Sequence, residues 1–144
     1  LRKIGNNLGH ERLDPAAVLP TRAHADDAGL DLYALEDMTV PSGEGRVLRT
    51  GVAVAVSPGS VGLVCDRSSM ARRGLKTVGG VIDAGYRGEI GVVVWNLSRE
   101  VQTVKKGERI AQMLVIPIAM PALIDSEDLG ATTRGSGGFG STGR

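Results

Sequence analysis

The chain has 144 residues, with 17 Lys and Arg against 16 Asp and Glu for a formal charge of +1. One domain with a real hydrophobic core is expected, and no global field is available to hold the chain on nucleic acid or an anionic membrane, so any anion must be bound locally. The single cysteine, Cys65, excludes an internal disulfide framework and a zinc cluster, and its place at the end of the apolar run 61–65 predicts a buried, unreactive thiol.

The longest apolar stretch, 113–124, is broken by Pro117 and Pro121 and falls short of the ~20 residues that a membrane helix needs. With no secretory signal visible, the expected setting is cytoplasmic. Twenty-one glycines and six prolines, without a long apolar stripe at helical spacing, predict many short strands joined by tight turns. Aromatic residues make up only 3%. The core must then be built from Val, Ile, Leu and Ala, which suits interleaved sheets better than a ring-lined cavity and puts a binding site at the surface or at a subunit seam.

Residues 1–9 show no period, and the chain has no assigned element before Pro20. The first strand is predicted at 28–34, where Ala28-Gly29-Leu30-Asp31-Leu32-Tyr33-Ala34 alternates. Met38 and Val40 mark a second, and Pro41-Ser42-Gly43 a turn. Residues 45–56 read as one two-sided strand, with Val52, Val54 and Val56 on one face and Ala53 and Ala55 on the other. Ser57-Pro58-Gly59-Ser60 turns the chain into a strand at 61–65, and 68–73 has the composition of a single short helix. A strand at 90–97 is predicted to be buried on both faces, as in a sandwich or at an oligomer contact, because Val92 and Val94 oppose Val93 and Trp95. Lys105-Lys106-Gly107-Glu108 is a turn into a strand at 109–118, and 125–129 closes the compact part. Roughly a dozen short strands in an antiparallel sandwich or jelly roll are expected, an all-β fold. From Gly130 onward the chain is too polar and Gly-rich to pack on its own core, which predicts a flexible tail.

Four places carry candidate chemistry. Arg67-Ser68-Ser69 opens the short helix after a buried strand, so N–H groups, two hydroxyls and a guanidinium converge on one anion; alone, these residues serve equally as a Ser-capped helix with a solvated Arg. In the run 79–88, Asp83 and Tyr86 lie three apart between glycines, the geometry of a hairpin bent around a flat ligand. There the backbone reads a base edge and the Tyr ring lies against a sugar, with no room for a 2'-hydroxyl. A turn in which Asp83 bonds local N–H groups fits the same residues. Asp31 and Gln112 are polar residues in apolar strands: Asp31 is either an edge-strand charge or part of a metal and water network, and a buried Gln112 amide needs partners. The tail combines Arg134, a run of glycines, Phe139, Ser141 and Thr142, a cation, an aromatic plate and hydroxyls suited to a nucleotide and able to close over it.

In their order and spacing, five segments resemble the motifs of the trimeric all-β dUTP pyrophosphatase (dUTPase) family: Ala28-Gly29-Leu30-Asp31-Leu32, Arg67-Ser68-Ser69-Met70-Ala71, the run 80–89, Gly107-Glu108-Arg109-Ile110-Ala111-Gln112, and the run 134–143. The resemblance covers residues 28–142. It implies a single-domain jelly roll of the β-clip type over 1–129, with 130–144 a flexible lid, assembled as a homotrimer in which each active site draws on three subunits. The implied activity is hydrolysis of dUTP to dUMP and pyrophosphate with Mg²⁺, which keeps uracil out of DNA and supplies dUMP for dTMP synthesis. The resemblance makes Asp83 the base that deprotonates a water for in-line attack on the α-phosphorus. It assigns Arg67, Ser68, Ser69 and Gln112 to phosphates and metal-bound waters, and Asp31 with Gln112 to the metal through water, the ion being held mainly by substrate phosphates. Gly80, Val81 and Ile82 would read uracil, Tyr86 would select deoxyribose, and Gly91 would also contact substrate. Arg134, Ser141 and Thr142 would grip the γ-phosphate, with Gly140 beside them and Phe139 stacked on uracil.

Two positions depart from the family pattern. Asp66 stands where Pro usually precedes the Arg, and the uracil hairpin 76–81 is the short form, without the Asn of many bacterial members, so its backbone must read the base. Two alternatives remain. The related dCTP deaminases carry a catalytic Glu in the strand after the hairpin, where this chain has Ile90-Gly91-Val92-Val93-Val94-Trp95-Asn96 and no acid. A non-catalytic nucleotide-binding regulatory trimer would not require Asp83, Arg67, Gln112 and Phe139 together.

Overall fold

The computed structural model describes residues 7–143; residues 1–6, in the unassigned start, and Arg144, at the end of the tail, lie outside the described residues. Eleven strands and one helix occur among them: β1 (Gly9–Arg12), β2 (Leu30–Tyr33), β3 (Met38–Val40), β4 (Gly45–Arg49), β5 (Val52–Ala55), β6 (Ser60–Cys65), α1 (Ser68–Arg72), β7 (Leu75–Thr77), β8 (Val81–Ile82), β9 (Gly91–Asn96), β10 (Gln102–Val104) and β11 (Arg109–Pro117). Every pairing between them is antiparallel. The strands form β2-β11-β6-β8, β4-β9-β7 and the pairs β1-β5 and β3-β10, the jelly roll that the turn pattern predicts.

The core is aliphatic, as the composition requires. Leu32, Leu48, Leu75, Ile90, Ile110, Met113 and a set of valines from β3, β5, β9 and β10 are its fully buried side chains. Trp95, Tyr86 and Phe139 are exposed and Tyr33 is half-buried, so no aromatic ring is fully buried.

Three expectations change. β1 lies in a stretch without periodicity, because all four of its residues are exposed; what makes it a strand is its backbone pairing with β5, from Gly9↔Ala55 to Arg12↔Val52. The single strand expected at 45–56 is two strands in different sheets. The chain breaks at Gly51, whose φ of +69° is open to glycine at little cost and where a Cβ would lie 2.8 Å from the Ala17 Cβ. The Thr50 hydroxyl donates to the Ile90 carbonyl at 2.7 Å and Gly51 N–H donates to Glu89 Oε1 at 2.7 Å, which fixes the bend. Finally, β9 is covered on one face only within the chain. Val92, Val94 and Asn96 are buried, whereas Val93 is half-buried and Trp95 is 44% exposed, beside Val47 at 54% on β4.

The compact part also ends earlier than residue 129. β11 stops at Pro117, and Leu123, Ile124 and Leu129 are almost wholly exposed, so 125–129 packs on nothing among the described residues. The helix matches its expected place, with Arg73 as the residue that ends it.

Asn96 joins the sheets at a buried polar point. Its Nδ2 donates to the carbonyls of Val40 (2.9 Å) and Glu100 (2.7 Å), and its Oδ1 accepts from Ser98 N–H (2.9 Å) and the Ser98 hydroxyl (2.7 Å). Asn96→Leu keeps the branching of the side chain but strands the Val40 carbonyl and Ser98 amide. It is expected to cost about 2–4 kcal/mol, read as a lower denaturant midpoint at unchanged slope and fixed protein concentration; an unchanged midpoint would show that water replaces these bonds.

Candidate active site

The residues expected to serve the phosphates are placed by one register. β11 sets Gln112 opposite Asp31 on β2 and opposite Cys65 on β6, and directly opposed residues present their side chains on the same face. An irregularity between Arg109 and Ala111 brings Arg109 beside Tyr33. Immediately after β6, Asp66 and Arg67 lead into α1, so the end of one strand and the start of the helix meet this polar row. Cys65 belongs to the same face and is half-buried rather than buried.

Asp31, 9% exposed, is a paired carboxylate. It accepts from Arg67 Nε at 3.0 Å and Arg109 Nη1 at 3.4 Å, while Arg67 Nη1 also donates to the Arg109 carbonyl at 3.2 Å. These contacts hold the Arg67 guanidinium in one orientation with further N–H donors left for an anion. Gln112 finds one of the partners a buried amide needs in the backbone: Nε2 donates to the Asp66 carbonyl at 2.8 Å. Its Oε1 lies against Gly29, where a Cβ would come within 2.2 Å of that oxygen and 3.1 Å of the Gln112 Cβ. No side chain caps α1, and the hydroxyls of Ser68 and Ser69 are exposed without a hydrogen bond among the described residues. The Ser-capped helix is therefore not what these residues form.

A second cluster lies around β8. Val81 and Ile82 pair with Leu63 and Gly62 of β6, whereas β7 pairs with β9. The segment 76–81 thus crosses from one sheet to the other instead of closing a paired hairpin. It borders a cleft of about 240 Å³ lined by Gly80, Val81, Ile82, Asp83, Tyr86, Glu89 and Gly91. Gly80 has a φ of +101°, and a Cβ there would lie 2.8 Å from the Val64 carbonyl oxygen; its own carbonyl accepts from Val64 N–H at 2.8 Å. The turn after β8 is closed by the main chain, Tyr86 N–H donating to the Asp83 carbonyl at 3.0 Å. The Asp83 carboxylate is exposed and carries no hydrogen bond or ion pair among the described residues, so it is free to meet a water. Tyr86 donates to the Glu89 carbonyl at 2.9 Å, its ring over Gly88.

Two residues to which the sequence reading gives no role build this region. Glu89 anchors the cleft to β4 and the Gly51 bend, accepting from Gly51 N–H at 2.7 Å and from Arg49 at 3.3 Å; an acid after a glycine turn reads as solvated, so nothing local marked it. Asp66 accepts from Lys76 Nζ (2.5 Å), the Thr77 hydroxyl (2.6 Å) and Thr77 N–H (2.7 Å). Burial raises its pKa, but those hydrogen bonds and the Lys76 charge outweigh it and hold the carboxyl below the usual 3.8. A carboxyl lowered in the folded state stabilises the fold at neutral pH, and that contribution is lost as pH falls below the ordinary range and through the lowered value.

The tail meets neither cluster. Phe139 is fully exposed with a φ of +51°, Arg134 Nε donates only to the Gly137 carbonyl at 2.9 Å, and Gly140, Ser141 and Thr142 are likewise exposed. A larger concavity of about 730 Å³, bordered by His10, Arg22, Leu30, Val54 and Val115 among others, contains none of the expected site residues. Within one chain, then, Asp31, Arg67 and Gln112 are brought together, Gly80, Val81, Ile82, Asp83, Tyr86 and Gly91 form a separate cleft, and the tail stands apart.

The family model described as dUTPase matches residues 16–143. The deoxyuridine 5'-triphosphate nucleotidohydrolase of Mycobacterium tuberculosis is 50% identical over 149 aligned positions, covering 97% of this chain and 97% of the relative. That of Gloeothece citriformis is 43% identical, covering 92% and 93%. Among solved structures, a Staphylococcus bacteriophage 80alpha dUTPase with dUpNHpp has a TM-score of 0.90 at 32% identity, covering 96% of this chain and 99% of the phage chain. A mutant dUTPase from phage phi11 of S. aureus, described with a coordinated structural Mg(II) ion, has a TM-score of 0.79 at 28% identity, covering 86% and 99%. Fold, motif order and relatives agree, and the chain belongs to the dUTPase family.

Proposed function

We propose that the chain hydrolyses dUTP to dUMP and pyrophosphate, with Asp83 as the base that activates the attacking water. The observation that carries the assignment is the Asp83 carboxylate, exposed and unpaired on the rim of a cleft whose opposite elements are the backbone of Gly80, Val81 and Ile82 and the ring of Tyr86. Main-chain groups of 80–82 read the uracil edge, Tyr86 packs on the deoxyribose, and Gly91 leaves the floor of the cleft without a side chain. The α-phosphate is thereby held beside Asp83, which takes the proton of a water positioned for in-line attack.

The phosphates need more than this cleft. Arg67, oriented by Asp31, supplies a guanidinium, and Ser68 and Ser69 supply free hydroxyls. Arg134, Ser141 and Thr142 in the tail supply a second cation and further hydroxyls, with Gly140 letting the backbone approach and Phe139 stacking on the base. These groups lie in three places within one chain, and a homotrimer with active sites at its seams unites them. The one-sided cover of β9 supports the same assembly.

Among the described residues no group of three or more His, Cys, Asp or Glu could cage a metal ion, and Asp31 already has two arginine partners. This donor set fits Mg²⁺ held mainly by the substrate phosphates, with Gln112 Oε1 and Asp31 reaching its waters. Bound so, the ion would supply positive charge against that building on the leaving pyrophosphate.

Pyrophosphate release from dUTP, dTTP, dCTP and UTP with Mg²⁺ tests the reading. The native chain is expected to act on dUTP far faster than on the others, and release of ammonia from dCTP would favour the deaminase reading. Asp83→Asn should lower kcat by about 10²–10⁴-fold with little change in KM; retention of most of the rate would remove Asp83 as the base. A chain ending before Arg134 should lose kcat as well, and sedimentation should give a trimer for both variants. Gly29→Ala should displace the Gln112 amide from the Asp66 carbonyl and lower kcat/KM by about 10–100-fold in a protein that remains folded by far-UV dichroism.

A further inference from the structure

Resting on the proposed dUTP chemistry, one further role belongs to Asp66. The segment that reads the base is pinned at both ends to β6 and its continuation. Its trailing end is held by main chain alone: Val64 N–H donates to the Gly80 carbonyl at 2.8 Å, and Val81 and Ile82 pair with Leu63 and Gly62. Its leading end is held by a side chain. β7 is the edge strand of β4-β9-β7, so Thr77, buried at 9%, turns an unpaired N–H away from β9. Asp66 Oδ1 accepts that N–H at 2.7 Å and the Thr77 hydroxyl at 2.6 Å, and Oδ2 accepts Lys76 Nζ at 2.5 Å. The carbonyl of the same residue accepts Gln112 Nε2 at 2.8 Å, and the next residue is Arg67. One residue therefore touches the base-reading segment with its side chain, Gln112 with its carbonyl, and the phosphate-binding helix through its peptide bond.

We propose that Asp66 is a positioning residue that sets where segment 78–81 stands relative to the phosphate-binding start of α1, and so sets the affinity and base selectivity for the nucleotide without entering the chemistry. Proline, with no side-chain acceptor and usual at this position in the family, cannot make the contacts to Lys76 and Thr77. The main-chain anchors at 80–82 leave Asp83 in place when the leading end is released, which is why the effect falls on KM and selectivity.

The experiment compares native chain with Asp66→Ala, Asp66→Pro and Thr77→Val, all assayed as assembled protein with Mg²⁺. Asp66→Ala and Asp66→Pro should raise KM for dUTP about tenfold with kcat within about twofold, and narrow the preference for dUTP over dCTP. Inhibition by dUMP should weaken in step while inhibition by pyrophosphate stays as in the native chain. Thr77→Val, which removes one hydroxyl and keeps the N–H bond, should show a smaller change of the same kind, and adding it to Asp66→Ala should change KM by less than the product of the two. Unchanged KM and selectivity in these variants would overturn the role, as would a fall in kcat that tracks lost melting temperature. If Asp66→Ala or Asp66→Pro does not assemble, the same criteria applied to Thr77→Val decide it. A native chain inactive on dUTP would instead remove the proposed function and leave dUMP binding by these variants as the readout for Asp66.

Discussion

Strand β11 is where packing becomes chemistry. Its buried Ile110, Ala111 and Met113 each prefer the core, by about 1.5–3 kcal/mol for the larger two, and together they fix which face Gln112 occupies. A slip of one residue would exchange the faces, sending the amide to the core and breaking the row Asp31–Gln112–Cys65. The Asp31 ion pairs, the orientation of Arg67 and the Gln112 contact to Asp66 all depend on that row. The aliphatic core thus fixes the face on which the proposed phosphate residues stand, and the polar contacts set individual side chains on it.

The same fold keeps the two clusters proposed for base and phosphate apart within a chain. β6 is the one element common to both: its middle pairs with β8 at the cleft and its end runs into Asp66, Arg67 and α1. Separation leaves apolar side chains open, Val47 and Trp95 on one sheet and Val81 at the cleft. In the proposed trimer, a neighbouring copy would cover these side chains and bring the second set of phosphate donors to the cleft. A Gly-rich tail would pay ordering entropy only on closing over a ligand, which suits its proposed role as a lid that must also release product.

Fold class and motif residues were legible because their signals are local. Alternation marks β2, apolar runs mark β6 and β11, and Gly-Asp-Tyr spacing marks the turn after β8. What was not legible is long-range or lacks side-chain signal. β1 has no buried residue and exists through its pairing with β5. The break at Gly51 depends on Ala17, Glu89 and Ile90, none of them near it in sequence except through the fold. Trp95 looks buried by type, yet its ring lies over Gly45 and stays 44% exposed among the described residues. Asp66 was marked only as a departure from the expected proline; its partners Lys76 and Thr77 lie on another strand, ten and eleven residues on.

Glycine explains why the motifs can be read without their contacts being known. At Gly29 a Cβ would meet the Gln112 amide at 2.2 Å, and at Gly88 the Tyr86 hydroxyl at 2.4 Å. Neither glycine has a positive φ; each is a slot cut for one particular side chain. The Gly29-Leu30-Asp31 and Gly107-to-Gln112 segments are thus two halves of one steric fit, as are Tyr86 and Gly88, and a change in one half is felt by the other across the sheet. That coupling is why single motifs, each weak alone, gain force when found together in order: what they encode is a set of mutual clearances that only the folded arrangement uses.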